Sequence, residues 1–102
     1  MSAYTNDAQQ RLIKLILLMF GDVVQGFPPS TLARELGCAP AVMTRDLANL
    51  LEAGIAVKNE QTGLWKLTPR LPQQAIKVFT AIDRAERELA ETKARFIHQP
   101  MQ

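Results

Sequence analysis

The stretch STLARELGCAPAVMTRDLANLLEAG, residues 30–54, decides the fold of this chain. Its apolar residues follow helical spacing on both sides of a short interruption at Gly37. Ser30 is placed to cap a first short helix, which Gly37 ends because glycine commonly terminates helices. Pro40 suits the first turn of a second helix, which stops at Gly54. The stretch therefore predicts two short helices that meet across a tight turn.

The residues before this stretch predict a longer helix over residues 6–24. Asn6 and Asp7 are residue types that start helices, and apolar residues then recur with helical spacing. Leu17 and Leu18 make this helix apolar almost all round, so we expect other elements to cover it on more than one side. The sequence GFPP, residues 26–29, ends the pattern.

The residues after Gly54 predict a β-hairpin. Two short runs, residues 55–58 and residues 64–67, flank the polar, glycine-containing loop of residues 59–63. Prolines at positions 69 and 72 mark the end of the hairpin. The predicted fold is mainly α with a small β-hairpin: a winged helix-turn-helix domain over residues 1–71, followed by a long C-terminal helix.

Three segments resemble the DNA-binding half of the IclR-type bacterial regulators: LARELG at residues 32–37, MTRDLANLLEAGI at 43–55 and TGLWKLTPRL at 62–71. In the hairpin, that family commonly shows a Thr-Gly turn, an aromatic residue, a basic residue, Leu, a small residue and an Arg-Leu pair. The resemblance covers about residues 11–71. It implies a stand-alone winged helix-turn-helix DNA-binding domain, without the family's large effector-binding domain, and we expect no small-molecule effector.

In such a domain the second helix of the motif enters the major groove of double-stranded DNA. Helical spacing predicts that Met43, Leu47, Leu50 and Leu51 point to the core, and that the outward residues are Ala41, Thr44, Arg45 and Ala48. Arg45 is a candidate for a bidentate contact to guanine or for a phosphate contact. Thr44 would reach a base edge or a phosphate, and Ala41 or Val42 a thymine methyl.

Further residues are candidates for contacts to the DNA backbone. Ser30 and Thr31 would position the first helix of the motif against phosphate, while Lys58, Lys66 and Arg70 surround the hairpin. A solvated surface charge is the alternative interpretation of each basic residue. Trp65 is interpreted as a packing residue rather than a base-stacking one. The predicted DNA-binding residues are Ser30, Thr31, Ala41, Thr44, Arg45, Lys58, Lys66 and Arg70.

The last predicted helix, residues 72–98, carries a short coiled-coil pattern. Ile82, Leu89 and Phe96 are seven residues apart, and we expect this seam to pair two chains into a homodimer. The alternative is that the helix folds back on its own domain. Residues 99–102 are predicted to be a frayed tail. The predicted dimerisation residues are Phe79, Ile82, Ala85, Leu89 and Phe96.

The opposing interpretation is a winged helix that binds protein instead of DNA. Pro40, Ala41 and Val42 stand where the IclR-type family usually places polar or basic residues, and they form an apolar surface. The net charge of the 102-residue chain is only +2, which is a modest signal for a nucleic-acid partner. Strong salt dependence of binding would favour DNA over protein as the partner.

The residue inventory argues against an enzyme. The chain has one histidine, one cysteine and two serines, too few to assemble a catalytic triad or a usual zinc site, and it has no glycine-rich phosphate loop. We therefore expect no catalytic activity, no metal and no cofactor.

We expect the protein to be cytoplasmic. Cys38 is the sole cysteine, which excludes an internal disulfide and fits a reducing compartment; we interpret it as a small buried apolar group. The apolar run of residues 12–20 is shorter than the roughly 20 residues of a membrane span. The first residues lack the features of a signal peptide.

Overall fold

In the computed structural model, which describes residues 3–98, the chain divides after Leu71 into two compact units. The first unit holds three helices and a two-stranded antiparallel sheet, and the second is one long helix. The predicted fold class, mainly α with a small hairpin and a long C-terminal helix, is confirmed. The elements are α1 (Asp7–Met19), α2 (Pro29–Leu36), α3 (Pro40–Glu52), β1 (Ala56–Lys58), β2 (Trp65–Leu67) and α4 (Pro72–His98).

Helix α1 begins as predicted but is covered on one side only. The side chain of Asn6 caps it by accepting a hydrogen bond from the Gln9 backbone N–H at 3.1 Å. Leu15 is completely buried, whereas Leu17 on the other side is 65% exposed. Within the first unit, the expectation that other elements cover α1 on more than one side is therefore wrong.

The predicted end of α1 at residue 24 is also wrong, because the helix ends at Met19. The carboxylate of Asp22 accepts hydrogen bonds from the backbone N–H groups of Val24, at 3.1 Å, and Gln25, at 2.9 Å. An aspartate that bonds the backbone two and three residues ahead offers those groups an alternative to the helix. The apolar pattern of the sequence continues past Met19, but the helical conformation of the backbone ends there.

Helices α2 and α3 both begin at a proline. Pro29 and Pro40 occupy first-turn positions, where the missing N–H costs no hydrogen bond. Ser30 therefore lies inside the first turn of α2 and is not its cap, contrary to the prediction. Gly37 ends α2 in the left-handed conformation, with φ at 64°, as glycine readily does.

The core of the first unit is formed by the inner faces of its helices and the two strands. Leu51, which was predicted to point inward, is 51% exposed, because it lies at the flank of the α3 face that Met43, Leu47 and Leu50 bury. Asp46 is the buried charged residue of this unit. The buried apolar residues are Leu15, Met19, Leu32, Ala33, Met43, Leu47, Leu50, Ala56 and Leu67.

The hairpin is extended by a short piece of the α1–α2 connection. Strands β1 and β2 pair antiparallel, with Ala56 opposite Leu67. Phe27 and Trp65 exchange two backbone hydrogen bonds of 2.8 Å, which adds one further bridge beside β2. Trp65 is half-buried and packs against the core, so its predicted packing role is confirmed.

Gly26 makes this bridge possible. Its φ is 88°, and a Cβ atom at this position would stand 2.3 Å from the carbonyl oxygen of Trp65. A residue with a side chain would meet both a strained backbone and a collision with the strand. The chain therefore approaches β2 closely only because position 26 has no side chain.

Cys38 is half-buried rather than buried. It packs against the core on one side and, on the other, lines a cleft of about 250 Å³ with residues of α1 such as Arg11 and Lys14. Its position in the turn between α2 and α3 leaves part of the residue at the surface.

The second unit is the uninterrupted helix α4, 27 residues long. None of its residues is buried. The predicted tail, residues 99–102, lies outside the described residues. Within residues 3–98, no helix combines the length and the apolar character that crossing a membrane requires.

Candidate nucleic-acid interface

The outward face of α3 carries the four residues that helical spacing places there. Ala41, Thr44, Arg45 and Ala48 are all exposed. They face outward because Met43, Leu47 and Leu50, at the complementary positions of the same helix, are buried in the core. The structure thus brings together the predicted base-reading residues on one surface.

An ion pair holds α3 against α1. The Arg11 guanidinium donates from Nε to Asp46 Oδ2 at 2.6 Å and from Nη2 to Asp46 Oδ1 at 3.2 Å. This hydrogen bond raises the pKa of Arg11, and the charge of Asp46 acts in the same direction. Because Arg11 lies in α1 and Asp46 in α3, the pair joins the two helices at the position next to Arg45.

Sequence reasoning missed this pair, although a signal was present. Asp46 follows Met43 by three positions and precedes Leu50 by four, so it belongs to the inward half of the helix. A carboxylate at such a position needs a charged or hydrogen-bonding partner. The partner itself, Arg11, is not marked by any local pattern.

Two polar side chains of α3 are turned to the helix's own backbone. The Thr44 hydroxyl donates to the Pro40 carbonyl oxygen at 3.0 Å, and the Asn49 amide nitrogen donates to the Arg45 carbonyl oxygen at 2.9 Å. By contrast, the Arg45 guanidinium makes no hydrogen bond or ion pair within residues 3–98. Arg45 is therefore available to a partner from solution.

The N-termini of α2 and α3 have no side-chain cap. Ser30 is exposed and Thr31 is half-buried, both in the first turn of α2. Unpaired N–H groups and the positive end of the helix dipole make a helix N-terminus suitable for a phosphate. The positions of Ser30 and Thr31 are thus compatible with backbone contacts to a nucleic acid.

The hairpin separates its two lysines. Lys66 is opposite Val57 in the register, and Lys58 is opposite Trp65. Since successive residues of a strand point to opposite faces, these two pairs lie on opposite faces of the hairpin. Lys58 is exposed and Lys66 is half-buried. The two lysines therefore do not form one basic patch.

Arg70 has a partner within the domain. Its Nη1 donates to the carbonyl oxygen of Ala53, the residue that follows α3, at 3.1 Å. A cation is favourable at the C-terminal end of a helix, where carbonyl groups lack helical partners. Arg70 thus supports α3, a role that its place after the hairpin did not indicate.

The predicted dimerisation residues all lie on the exposed surface of α4. Phe79 is 66% exposed and Leu89 is 70% exposed. Ile82, Ala85 and Phe96 are exposed as well.

Neither the scan against protein-family models nor the search of the curated proteins finds a match to this chain.

Proposed function

We propose that this protein binds double-stranded DNA sequence-specifically, as a transcriptional regulator that acts as a homodimer in the cytoplasm. The observation that supports the proposal most is the outward face of α3, where Arg45 has no partner within the described residues. The face belongs to the second helix of a helix-turn-helix, the element that reads bases in proteins of this architecture.

The dimensions of α3 suit this task. Its 13 residues span about 20 Å, and a helix with side chains fits the major groove, which is about 12 Å wide. The N-termini of α2 and α3 have no side-chain cap, and the positive end of each helix dipole favours a phosphate near the groove. Thus α3 supplies base contacts, and the first turns of the two helices supply positioning contacts.

Pairing of two chains through α4 completes the proposal. One short recognition helix makes few base contacts, and a dimer that binds two half-sites about 34 Å apart doubles their number. Ile82, Leu89 and Phe96 are exposed and repeat every seven residues, as the residues of one of the two apolar positions in a coiled-coil heptad do. On this proposal the dimer is the DNA-binding species.

A protein-binding winged helix is the second candidate, and one observation favours it. Pro40 and Ala41 are exposed side by side at the start of α3. Apolar side chains on one exposed surface are typical of protein-binding sites. In that case binding would be insensitive to salt and to loss of Arg45.

The test is fluorescence anisotropy of the purified protein on a labelled mixed-sequence duplex over a salt series. We expect affinity to fall steeply with salt, because phosphate contacts release counterions. Arg45→Ala should weaken binding, whereas Arg84→Ala, which removes an exposed arginine of α4, should change it little. Absence of binding at low salt would reject the proposal in favour of a protein partner.

A further inference from the structure

The outward face of α3 offers methyl groups where a base-reading helix commonly offers hydrogen-bond donors. Ala41, Thr44 and Ala48 lie three and four residues apart, so their side chains form one line along the exposed face. The line runs over about 10 Å, which is the rise of about three base pairs.

Thr44 belongs to this line through its methyl group. Its hydroxyl hydrogen is donated to the Pro40 carbonyl oxygen at 3.0 Å. A base acceptor would have to compete with that intrahelical hydrogen bond, whereas the Thr44 methyl group needs no rearrangement to make an apolar contact. Val42 contributes less, because it is half-buried.

The charged groups of α3 indicate which partner meets this line. Arg45 is exposed beside it without a partner in residues 3–98, and a free guanidinium favours a polyanion. Asp46 is buried and neutralised by Arg11. Glu52 is exposed at the last position of α3, so its negative charge favours approach of the N-terminal part of the helix to DNA.

We propose that α3 reads thymine through its C5 methyl group, with the methyl groups of Ala41, Thr44 and Ala48 packed against those of successive thymines and Arg45 anchoring the helix beside them. This inference rests on the proposed DNA-binding function and specifies what the site recognises. Thymine is the DNA base that carries a methyl group in the major groove, and apolar side chains recognise it there.

The first experiment compares two duplexes of identical sequence. A duplex is selected by repeated binding from a random-sequence pool and is then synthesised either with thymine or with deoxyuridine in its place. Deoxyuridine pairs normally but lacks the methyl group. We expect deoxyuridine to weaken binding by about fourfold for each thymine methyl group that the helix would otherwise bury, as burial of one methyl-sized group implies.

A pair of matched variants identifies the group that acts at position 44. Thr44→Ser removes the methyl group and keeps the hydroxyl, so it should reduce the preference for thymine over deoxyuridine. Thr44→Val keeps a methyl group at the position and removes the hydroxyl, so it should retain the preference. The opposite order would show that the hydroxyl contacts the base and would overturn the inference.

The outcomes separate this inference from the function on which it rests. Equal affinity for the two duplexes overturns methyl reading but leaves sequence-specific DNA binding intact. A selection that converges on no sequence overturns methyl reading and sequence specificity, and leaves only non-specific DNA binding. No binding to either duplex at low salt overturns both. A fold check on each variant, by circular dichroism, ensures that a reduced preference reflects the removed group rather than unfolding.

Discussion

Arg11 and Asp46 join the first and third helices through a two-pronged ion pair, with 2.6 Å between Arg11 Nε and Asp46 Oδ2. The carboxylate is the less accessible partner: 11% of its side chain is exposed, against 23% for Arg11. Loss of the arginine therefore leaves a poorly solvated negative charge, which costs more than loss of an exposed ion pair.

We predict that Arg11→Met lowers Tm by several degrees, because Asp46 remains in place without its partner. The double variant Arg11→Met/Asp46→Leu should recover much of the loss, since replacing both charged groups by apolar ones is often close to neutral. Thermal unfolding followed by circular dichroism measures both. A double variant less stable than Arg11→Met alone would contradict this account.

Gly26→Ala should destabilise the first unit strongly. A Cβ atom at this position meets the Trp65 carbonyl oxygen at 2.3 Å and also needs a positive φ. Overpacking and the left-handed backbone together cost about 2–5 kcal/mol. Urea denaturation would measure the loss.

Gly37→Ala is the matched control for this variant. Position 37 also has a positive φ, but a Cβ atom there has nothing within 4 Å. Only the backbone strain remains, and we expect a cost of about 1–2 kcal/mol. Equal losses for the two variants would show that the approach of Gly26 to β2 is not tight.

Asp22 should make stability depend on pH in the acidic range. The backbone N–H of Gln25 lowers the pKa of this carboxyl group, and that of Val24 adds to the effect. A lowered pKa in the folded state means that the carboxylate stabilises the fold above the unfolded pKa, roughly 4, and that this contribution is lost as the pH falls through the folded pKa.

The difference in unfolding free energy between the wild type and Asp22→Asn isolates this effect. We expect the wild type to be more stable at neutral pH and the difference to shrink below about pH 4. A constant difference for Asp22→Asn would contradict the prediction.

Leu89→Glu should convert the proposed dimer into monomers and weaken DNA binding. Leu89 is 70% exposed in the single chain, and a charge at the centre of an apolar seam opposes pairing. Sedimentation over a concentration series reports the mass. Ala94→Glu places the same charge about 140° away around α4 and should remain dimeric. A dimeric Leu89→Glu protein would reject the seam.

The parts of the fold that could be predicted from the sequence are those whose geometry is set by one residue. Pro40 has a fixed φ that suits a helix start, and Gly37 and Gly54 have positive φ values where two helices stop. Helical spacing then assigned the buried and exposed sides of α3, apart from the exposed Leu51 and the buried Asp46. Each of these inferences needed only local information.

The parts that could not be predicted depend on where side chains find partners. The Asp22 carboxylate binds the backbone N–H of Val24 outside the helix, although the apolar pattern of α1 continues through Val24. Arg11 forms an ion pair with Asp46 from a separate helix. The Arg70 side chain donates a hydrogen bond to the Ala53 carbonyl oxygen. Such contacts arise only once the helices are packed, so residue types and spacing leave several equivalent choices open.

The bridge between Phe27 and Trp65 has a consequence for association with any partner. Phe27 lies before α2 and Trp65 lies after β1. Their paired backbone hydrogen bonds therefore close a loop of chain that contains the helix-turn-helix motif. A motif whose two ends are held together has few accessible conformations before it binds a partner. Little further conformational entropy is lost on binding, because the motif was ordered when the domain folded. The exposed face of α3 is thus preorganised.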